Sequence, residues 1–497
     1  MFKLLKQWLN KNSTHNQFKP HQQSQSNENN KKPTFDHINE QFANCADISK
    51  EEYLHINIKT LYFEYMVDKQ LVVSEVTSRF KELDEESISS FLRQSQFKPC
   101  DDSKEVVKAV LDGKIAIFHE HDVFIYSATK LESRSIQTAE SETIITGPHD
   151  ALNENLQTNL SLIRRRVKSS HLKILELSIG EIGKTKLYLL YLDGIANQDM
   201  ISDVKERIEN VEIDAVYDVN MLVQLIDEFP NSPFPQFYTT ELPDVVASKL
   251  TEGKIVGMME NSPYAFSAPT SFFDFFQSSD DYNQRWLIGT ASRILRFIAL
   301  FITLTFTAFY VSIITFHYEM VPDLLLISII SSRSHVPFPP LMEALLMEFT
   351  IELLREAGAR LPTKIGQTIG IVGGIVIGSA SVAAGITSNI LIIAVSISAI
   401  SSFVIPSYVM SNSVRIVRFG FILLGGLLGN LGIMFGATLL IIHLTGLTNL
   451  KSPYFWPISP ASPSGWKDTI IRGPLSLFNT RPNITLSSNE KRQQSGQ

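Results

Sequence analysis

The strongest constraint in this sequence is the separation of its charged and apolar residues into two parts of the chain. Roughly the first 290 residues mix the two kinds as a soluble protein does, whereas long stretches between Ile294 and Leu447 are almost free of charge. An apolar helix of about 20 residues is long enough to cross the hydrocarbon core of a bilayer. The sequence therefore predicts a soluble region followed by a membrane domain.

Four apolar segments are candidates for membrane helices. They are Ile294–Phe316, Ile365–Ile386, Ile390–Tyr408 and Val414–Leu444. The last is longer than one crossing requires, so it must tilt, kink at its glycines or project from the membrane. Region 321–361 is ambiguous, because its apolar run LLLISII is too short to span a bilayer alone.

The charges that flank these segments do not give a consistent topology. Arg285 and Arg293 place the start of the first segment inside. Arg355 and Arg360 then require a crossing within region 321–361. This arrangement makes five crossings and leaves a basic C-terminal tail outside, against the positive-inside rule. One of these assignments must therefore be wrong.

Two segments of the soluble region share one order of elements. Each has an apolar strand-like run, an amphipathic helical stretch, and then a helix that ends at Gly-Lys before two apolar runs separated by a polar turn. Gly113 and Gly253 suit the C-caps of the helices that lead into these strands. The predicted fold class is an α/β cytoplasmic N-terminal region of two related subdomains, followed by an all-α polytopic membrane domain.

Composition shifts suggest the domain boundaries. The basic, amphipathic N-terminus has no signal-peptide cleavage site, so the soluble region is expected in the cytoplasm. The predicted domains are a disordered polar arm at 1–34, α/β subdomain 1 at 35–146, a linking helix at 147–170, α/β subdomain 2 at 171–285, a helical transmembrane domain at 286–447 and a partly disordered C-terminal tail at 448–497.

The helix expected from Ile365 has two contrasting faces. Small residues on one face let helices approach closely in a membrane, and a weakly polar face could line a narrow pore if several copies surround an axis. The alternative is ordinary packing on the small face with lipid against the other. The helix-packing candidates are Gly366, Gly370, Gly373, Gly374, Ser381 and Ala384, and the pore-lining candidates are Thr368, Val372, Ile375, Ser379 and Val382.

A second helix, expected over Leu341–Ala357, is amphipathic. Its charged stripe could ring the mouth of a cation pathway, or it could form local ion pairs on an interfacial or subunit-contact helix. Glu343 points away from this stripe and would need its own partner if buried. The charged stripe is Glu348, Glu352, Arg355 and Glu356, together with Arg360 beyond the end of the expected helix. The opposing apolar stripe is Met342, Leu346, Phe349 and Leu353.

A basic run, Arg164, Arg165 and Arg166, ends the linking helix. It could bind anionic lipid headgroups or the acidic face of a neighbouring subunit. The plainer alternative is a solvated face, because charge runs usually are solvated.

The sequence indicates neither a metal site nor a catalytic site. His119, Glu120, His121 and Asp122 have ligand chemistry but lie where a tight turn is expected between two apolar runs. Phosphate-loop, dinucleotide-binding, HExxH and nucleophile-elbow patterns are absent from the sequence. We therefore expect no metal, no cofactor and no enzyme activity. A net charge of −7 gives no support to nucleic-acid binding.

From residue 337 the sequence closely resembles a known family. The block PFPPLMEALLMEFTIELLREAGARLPTKIG is similar to the most characteristic block of the GerA-type spore germinant receptor A subunits. The resemblance continues through ISSFVIPSY, RIVRFGF, PYFWPISPASP and WKDTIIRGPL, and it covers most of the chain from about residue 35 to 475. One departure is GPHDALNEN at residue 147, where the family has GPR-x-GF-x-E.

This resemblance implies a function. It implies a multi-pass protein of the spore inner membrane, with its N-terminal domain cytoplasmic, that oligomerises and acts with a transporter-like B subunit and a lipoprotein C subunit. The implied activity is an ion pathway that opens when a partner subunit binds nutrient. The alternatives are a non-conducting scaffold, including the paralogue associated with the dipicolinate channel, and a secondary transporter.

Overall fold

The computed structural model describes residues 33–129, 139, 142, 144–463 and 465–492, apart from the side chains of 85, 86 and 363–372. The predicted polar arm therefore lies almost wholly outside the described residues. The chain forms two compact units. The first comprises the residues up to 41 together with 49–63 and 69–129, and the second comprises 42–48, 64–68 and 130 onward.

The first unit is a five-stranded sheet with helices. Its strand order is β1-β2-β4-β5-β3, and the β2–β4, β4–β5 and β5–β3 pairs are antiparallel. The strands are β1 (Ile48–Tyr53), β2 (Ile58–Phe63), β3 (Phe97–Pro99), β4 (Ile115–His119) and β5 (Asp122–Tyr126). The helices are α1 (Phe35–Gln41), α2 (Lys69–Leu71), the π-helix Val72–Thr77, α3 (Ser78–Glu82), α4 (Glu85–Leu92) and α5 (Ser103–Leu111).

The second unit contains a sheet of the same topology. Its order is β6-β7-β9-β10-β8, with all four pairs antiparallel. The strands are β6 (Leu172–Ile179), β7 (Thr185–Leu192), β8 (Tyr238–Thr240), β9 (Ile255–Met259) and β10 (Ala265–Ala268). The helices are α6 (Leu156–Arg166), α7 (Gln198–Glu209), α8 (Val219–Ile226) and α9 (Pro243–Thr251). The matching strand orders confirm two related α/β subdomains.

Equivalent turns recur in the two sheets. Gly113 and Gly253 have φ of 78° and 89° and end the helices that precede β4 and β9. Both hairpins that follow have a residue with positive φ, Glu120 and Asn261. In the first hairpin, His119 pairs with Asp122 across the turn. This segment is therefore a β-hairpin turn, as its sequence predicts.

The basic run on α6 does not present all of its charges to solvent. Arg164 is only 1% exposed, and its Nε and Nη2 each donate to an Asp47 carboxylate oxygen at 2.9 Å. Arg166 pairs with Asp150 in a partly exposed position. The expected role of Arg164 in lipid or subunit contact is thus corrected, because its charge is buried and neutralised inside the second unit.

The C-terminal half of the second unit is helical. Its helices are α10 (Asp280–Asn283), α11 (Trp286–Phe316), α12 (Asp323–Arg333), α13 (Pro340–Arg360), α14 (Thr363–Ala383), α15 (Asn389–Ser402) and α16 (Tyr408–Gly446). Among the described residues, α11 and α16 are long and apolar enough to cross a membrane, whereas α15 and the part of α14 from Gly373 are apolar but shorter.

The longest helix, α16, reverses direction at Gly429. This glycine has φ 65° and ψ −147°, which is not helical. Before the break, Ser413 donates to the carbonyl of Pro233 in the α/β subdomain. After it, His443 lies 2.9 Å from the hydroxyl of Ser232. Both ends of α16 therefore lie beside the second α/β subdomain. We call this end of the helices the near end.

The break in α16 lies at the opposite, far end. The backbone amide of Asn430 faces the ring of His317, the residue that follows α11. A Cβ added to Gly429 would lie 2.9 Å from the same ring. A residue with a side chain would therefore have a strained backbone at this positive φ and would clash with His317. The excess length noted in the sequence is thus a hairpin of two helical segments, 408–428 and 430–446.

With this hairpin, the helices make six passes between the near and far ends. In α13, Glu343 contacts Ser388 at the far end and Arg355 contacts Ser402 at the near end. The helix α14 returns to the far end, where Gly385 meets the carbonyl of His335. The five-pass arrangement is therefore corrected: α16 contributes two passes, and the tail returns to the α/β side.

The C-terminal tail folds onto the α/β subdomain. It contains a small ladder of β11 (Thr448–Asn449) and β12 (Ser452–Pro453). The Tyr454 hydroxyl donates to the carbonyl of Pro235 at 2.6 Å, and Ser488 donates its backbone amide to the carbonyl of Ile195. Up to residue 492 the described tail is thus tied to the α/β subdomain.

The Asp47–Arg164 pair provides a test of the second unit. Asp47→Ala leaves a buried guanidinium unpaired and is expected to cost about 3–5 kcal/mol of unfolding free energy. Asp150→Ala removes the partner of the more exposed Arg166 and is expected to cost less than about 1 kcal/mol. Urea unfolding of the detergent-solubilised full chain measures both, and equal shifts of the two midpoints would contradict the assignment.

Candidate functional site: buried ion pairs among the apolar helices

The helix α13 has its polar and apolar faces reversed relative to a soluble helix. Its charged residues Glu343 and Glu348 are fully buried among the other helices. Its apolar stripe, predicted from the sequence, points outward. That exposed stripe is Met342, Leu346, Phe349 and Leu353. A helix with charge inside and apolar side chains outside is suited to a lipid surrounding rather than to water.

At the centre of the helices, Glu348 of α13 pairs with Arg418 of α16. Both side chains are 0% exposed, and the Arg418 Nη2 atom lies 2.8 Å from the Glu348 Oε2 atom. The other carboxylate oxygen accepts a hydrogen bond from Thr307 of α11 at 2.8 Å. Arg418 also reaches Ser398 of α15 at 3.4 Å. One ion pair thus connects four helices.

Closer to the near end, Glu352 and Arg355 extend this network. Glu352 pairs with Arg415 and lies 3.5 Å from Arg418. Arg355 donates to the hydroxyl of Ser402 at 2.9 Å and stacks on the ring of Phe403 at 4.1 Å. Glu352 and Arg355 thus make contacts with other helices rather than a local ion pair within α13.

Toward the far end, Glu343 has a separate set of partners. Arg333 of α12 lies 3.0 Å from one carboxylate oxygen. The other oxygen accepts from the hydroxyl of Thr387 at 3.1 Å and from the backbone amide of Ser388 at 2.6 Å. This carboxylate thereby holds α12 and the start of α15 against α13.

Glu356 and Arg360 differ from the rest of the charged stripe. They pair with each other at 2.6 Å, as their spacing suggests, on an exposed surface. The sequence therefore identifies the residues of the stripe. The sequence does not show which residues of the stripe are buried, because that depends on Arg415 and Arg418, which only the tertiary fold brings opposite α13.

The pore-lining candidates on α14 are only partly described. Thr368 and Val372, together with Gly366 and Gly370, lie outside the described side chains. Ile375 is 67% exposed and Ser379 is exposed, while Val382 is half-buried. On the opposite face, a Cβ at Gly373 would meet Leu354 of α13 at 2.9 Å. Of the other helix-packing candidates, Gly374 and Ala384 are exposed and Ser381 is half-buried, and a Cβ added to Gly374 would meet nothing within 4 Å.

A second charged cluster lies where the α/β subdomain meets the tail. Asp274 pairs with Lys249 at 3.2 Å and with Lys254 at 2.9 Å, and all three are buried. Burial would lower the pKa of Lys249, but Asp274 and Glu252 hold it well above its ordinary value. Burial would raise the pKa of Asp274, but the two lysines hold it well below its ordinary value.

A cleft of about 810 Å³ lies between the second α/β subdomain and segment 403–409, which leads into α16 at the near end. Aromatic side chains such as Phe234 and Tyr238 line it, together with the carboxyls of Glu142 and Asp227. Burial raises the pKa of both carboxyls to about 7. Among the described residues, no three His, Cys, Asp or Glu side chains are grouped as metal ligands.

A double-mutant cycle tests the central pair. Glu348→Leu leaves Arg418 buried without its main partner and is expected to cost about 3–5 kcal/mol. Combining it with Arg418→Leu is expected to recover much of that loss, since no uncompensated charge remains. Thermal unfolding of the purified chain in detergent measures the coupling. Glu356→Leu is the control, with less than about 1 kcal/mol expected, and strictly additive losses would contradict the pairing.

Comparisons with known proteins agree with the features above. The family model described as "Bacillus/Clostridium GerA spore germination protein" matches residues 36–484. Spore germination protein GerQA of Bacillus cereus is 44% identical over 427 residues, 85% of this chain and 86% of that protein.

Two Bacillus subtilis (strain 168) proteins are also similar. Spore germination protein A1 is 38% identical over 420 residues, covering 84% of this chain and 87% of that protein. The protein named uncharacterized membrane protein YfkQ is 37% identical over 400 residues, covering 80% and 78%. A family match over most of the sequence, together with these relatives, shows that the chain belongs to the GerA family of spore germination proteins.

Proposed function

We propose that this chain is the A subunit of a nutrient-responsive germination receptor and forms an oligomeric ion pathway in the spore inner membrane. Its partners are a transporter-like B subunit, whose binding of germinant opens the pathway, and a lipoprotein C subunit. Membership of the GerA family supports the receptor role. The observation that carries the pathway is the exposed, uncharged face of α14 beside a helix bundle whose charges are neutralised internally.

Membrane embedding is supported by the lengths and faces of the helices. At about 1.5 Å per residue, the 21-residue helices α13 and α14 are each roughly 32 Å long, close to the hydrocarbon thickness of about 30 Å. Apolar side chains cover the outer surface of α11, α13 and α16. Their exposure would be costly in water and is favourable in lipid.

Six passes also satisfy the positive-inside rule. Among the far-end connections, 317–339, 384–388 and the break at Gly429, the sole Lys or Arg is Arg333, which is paired with Glu343. The near end carries Arg285, Arg360 and the basic residues of the tail. This asymmetry supports a cytoplasmic location for the near end and for the second α/β subdomain beside it.

The ion pathway is assigned to α14 rather than to the carboxylates of α13. Glu348 and Glu352 are committed to arginines, so they hold the bundle together instead of facing a lumen. Within the described residues, α14 packs mainly on α13 and leaves Ile375 and Ser379 exposed. Copies arranged around an axis would bring these faces together as a narrow, uncharged constriction.

The alternative of a non-conducting scaffold uses the same face against lipid. Both interpretations need the bundle to fold and the receptor to assemble. They differ in what a small change on the exposed α14 face does to ion flow. A secondary transporter would use a charge near the middle of the membrane, and here the central charges Glu348 and Arg418 are already paired.

We predict that Val382→Ala, on the candidate pore face, causes monovalent-cation release from spores without nutrient, because a smaller side chain widens the constriction. Ile377→Val is the control, since it also shortens an aliphatic side chain on the same helix, on the side opposite that face. Cation release is measured in both, with subunit levels compared by immunoblot. Normal nutrient-dependent release from Val382→Ala at normal subunit levels would favour the scaffold.

We also predict that the tail and the α/β subdomain lie on one side of the membrane. In a background lacking Cys45 and Cys100, Ala461→Cys is expected to react with an impermeant maleimide in inverted vesicles alone, and Glu319→Cys in right-side-out vesicles alone. Both positions are exposed. If α16 crossed the membrane once, Ala461→Cys would instead react in right-side-out vesicles. The two vesicle types serve as mutual controls for leakage.

A further inference from the structure

We propose that the near-end face formed by the start of α11 and tail segment 465–477 is an anchor that docks on the anionic headgroup region of the bilayer. This anchor face holds the second α/β subdomain at a fixed distance from the membrane. This proposal rests on the proposed membrane embedding. It assigns a binding surface and a partner to the tail, which the helices do not need in order to make their six passes.

The tail segment is bound along the first turns of α11. Arg293 of α11 pairs with Asp468 of the tail at 2.9 Å. The Tyr282 hydroxyl donates to the same carboxylate at 2.9 Å. The contact continues along the helix, because Thr290 donates its hydroxyl to the carbonyl of Arg472 at 3.0 Å. The helix start and the tail therefore present one continuous surface.

That surface has the chemistry of a membrane interface. Trp286 and Trp466 are 41% and 49% exposed, and aliphatic side chains, Leu287 and Ile471, are more than half exposed. Tryptophan is enriched at headgroup level because its ring is apolar and its N–H polar. The exposed cations of this face, Arg285 and Lys467, are complementary to anionic headgroups.

The depth of this face agrees with that location. The helix α11 has 31 residues, so it is about 46 Å long, whereas a bilayer with its headgroups is about 40–45 Å thick. An exposed apolar stripe follows the helix from Leu287 through Ile294 and Ile298 to Phe301. If α11 crosses the membrane, its first turns and the tail bound to them lie among the headgroups.

The charges near this stripe do not oppose the assignment. Arg293 is fully buried and is neutralised by Asp281 and Asp468. Arg296 is also paired with Asp281, at 2.7 Å. These guanidiniums face the protein interior, and the outward surface keeps its apolar side chains and its two unburied cations.

Tryptophan fluorescence tests the proposal because the sequence has only four tryptophans, Trp8, Trp286, Trp456 and Trp466. Single-tryptophan variants of the full chain, made by Trp→Phe changes at the other three positions, are reconstituted in phosphatidylglycerol-containing vesicles. The acyl chains carry bromine at shallow or deep positions. Trp456 is the matched control, since it lies in the same tail but packs against Gly465.

We expect Trp466 and Trp286 to lose more emission with shallow than with deep bromine, and Trp456 to lose little with either. Lys467→Glu in the Trp466 variant is expected to weaken this quenching in phosphatidylglycerol vesicles but not in pure phosphatidylcholine. Quenching of Trp466 no greater than that of Trp456 would overturn the anchor, whether water or a partner protein then covers the face.

A further variant separates this failure from failure of the membrane proposal. Phe301→Trp, in a chain whose own tryptophans are replaced by Phe, places the reporter on the exposed stripe of α11. Strong quenching there, with none at Trp466, overturns the anchor and leaves membrane embedding intact. Absence of quenching at both positions overturns the embedding, and with it the anchor.

Discussion

The buried pair of Glu348 and Arg418 is the interaction on which the helical bundle depends. In the proposed membrane embedding, a lone charge at the centre of a helix would cost about 2.5–3.5 kcal/mol or more, so each of the two residues needs the other there. Their pairing brings α13 against the first segment of α16, and Thr307 and Ser398 add hydrogen bonds from α11 and α15. Since apolar contact distinguishes poorly between helices in lipid, these polar contacts select which helices are neighbours.

The reversal at Gly429 has an equally large consequence for the whole chain. By turning α16 into two passes, it returns the tail to the α/β subdomain, where Asp468 and Tyr454 then contact residues far earlier in the sequence. The tail is therefore part of the folded unit and restrains the start of α11. A continuous helix of the same composition would separate the tail from these partners.

Part of this architecture could be predicted from the sequence. The period of apolar residues and the glycines at 113 and 253 indicate the duplicated α/β subdomains, because those signals are local. The charged stripe of α13 is visible for the same reason. Its partners are not, since Arg415 and Arg418 lie more than 60 residues away and only the fold brings them opposite Glu352 and Glu348. Arg164 resembles a surface charge in the sequence because its partner, Asp47, is even more distant along the chain.

Helices α13 and α14 are suited to different roles, because the carboxylates at the centre of α13 are already paired and the exposed face of α14 is uncharged. A carboxylate already paired with a buried arginine has little capacity to bind a passing ion. The ion-pair network of α13 is therefore suited to holding the helices together. The adjacent α14 has Gly373 toward α13 and uncharged residues such as Ser379 away from it. Its outer face is thus the surface that neighbouring copies or lipid can cover without breaking an ion pair. In the proposed ion pathway, a change in subunit packing would therefore alter that face first.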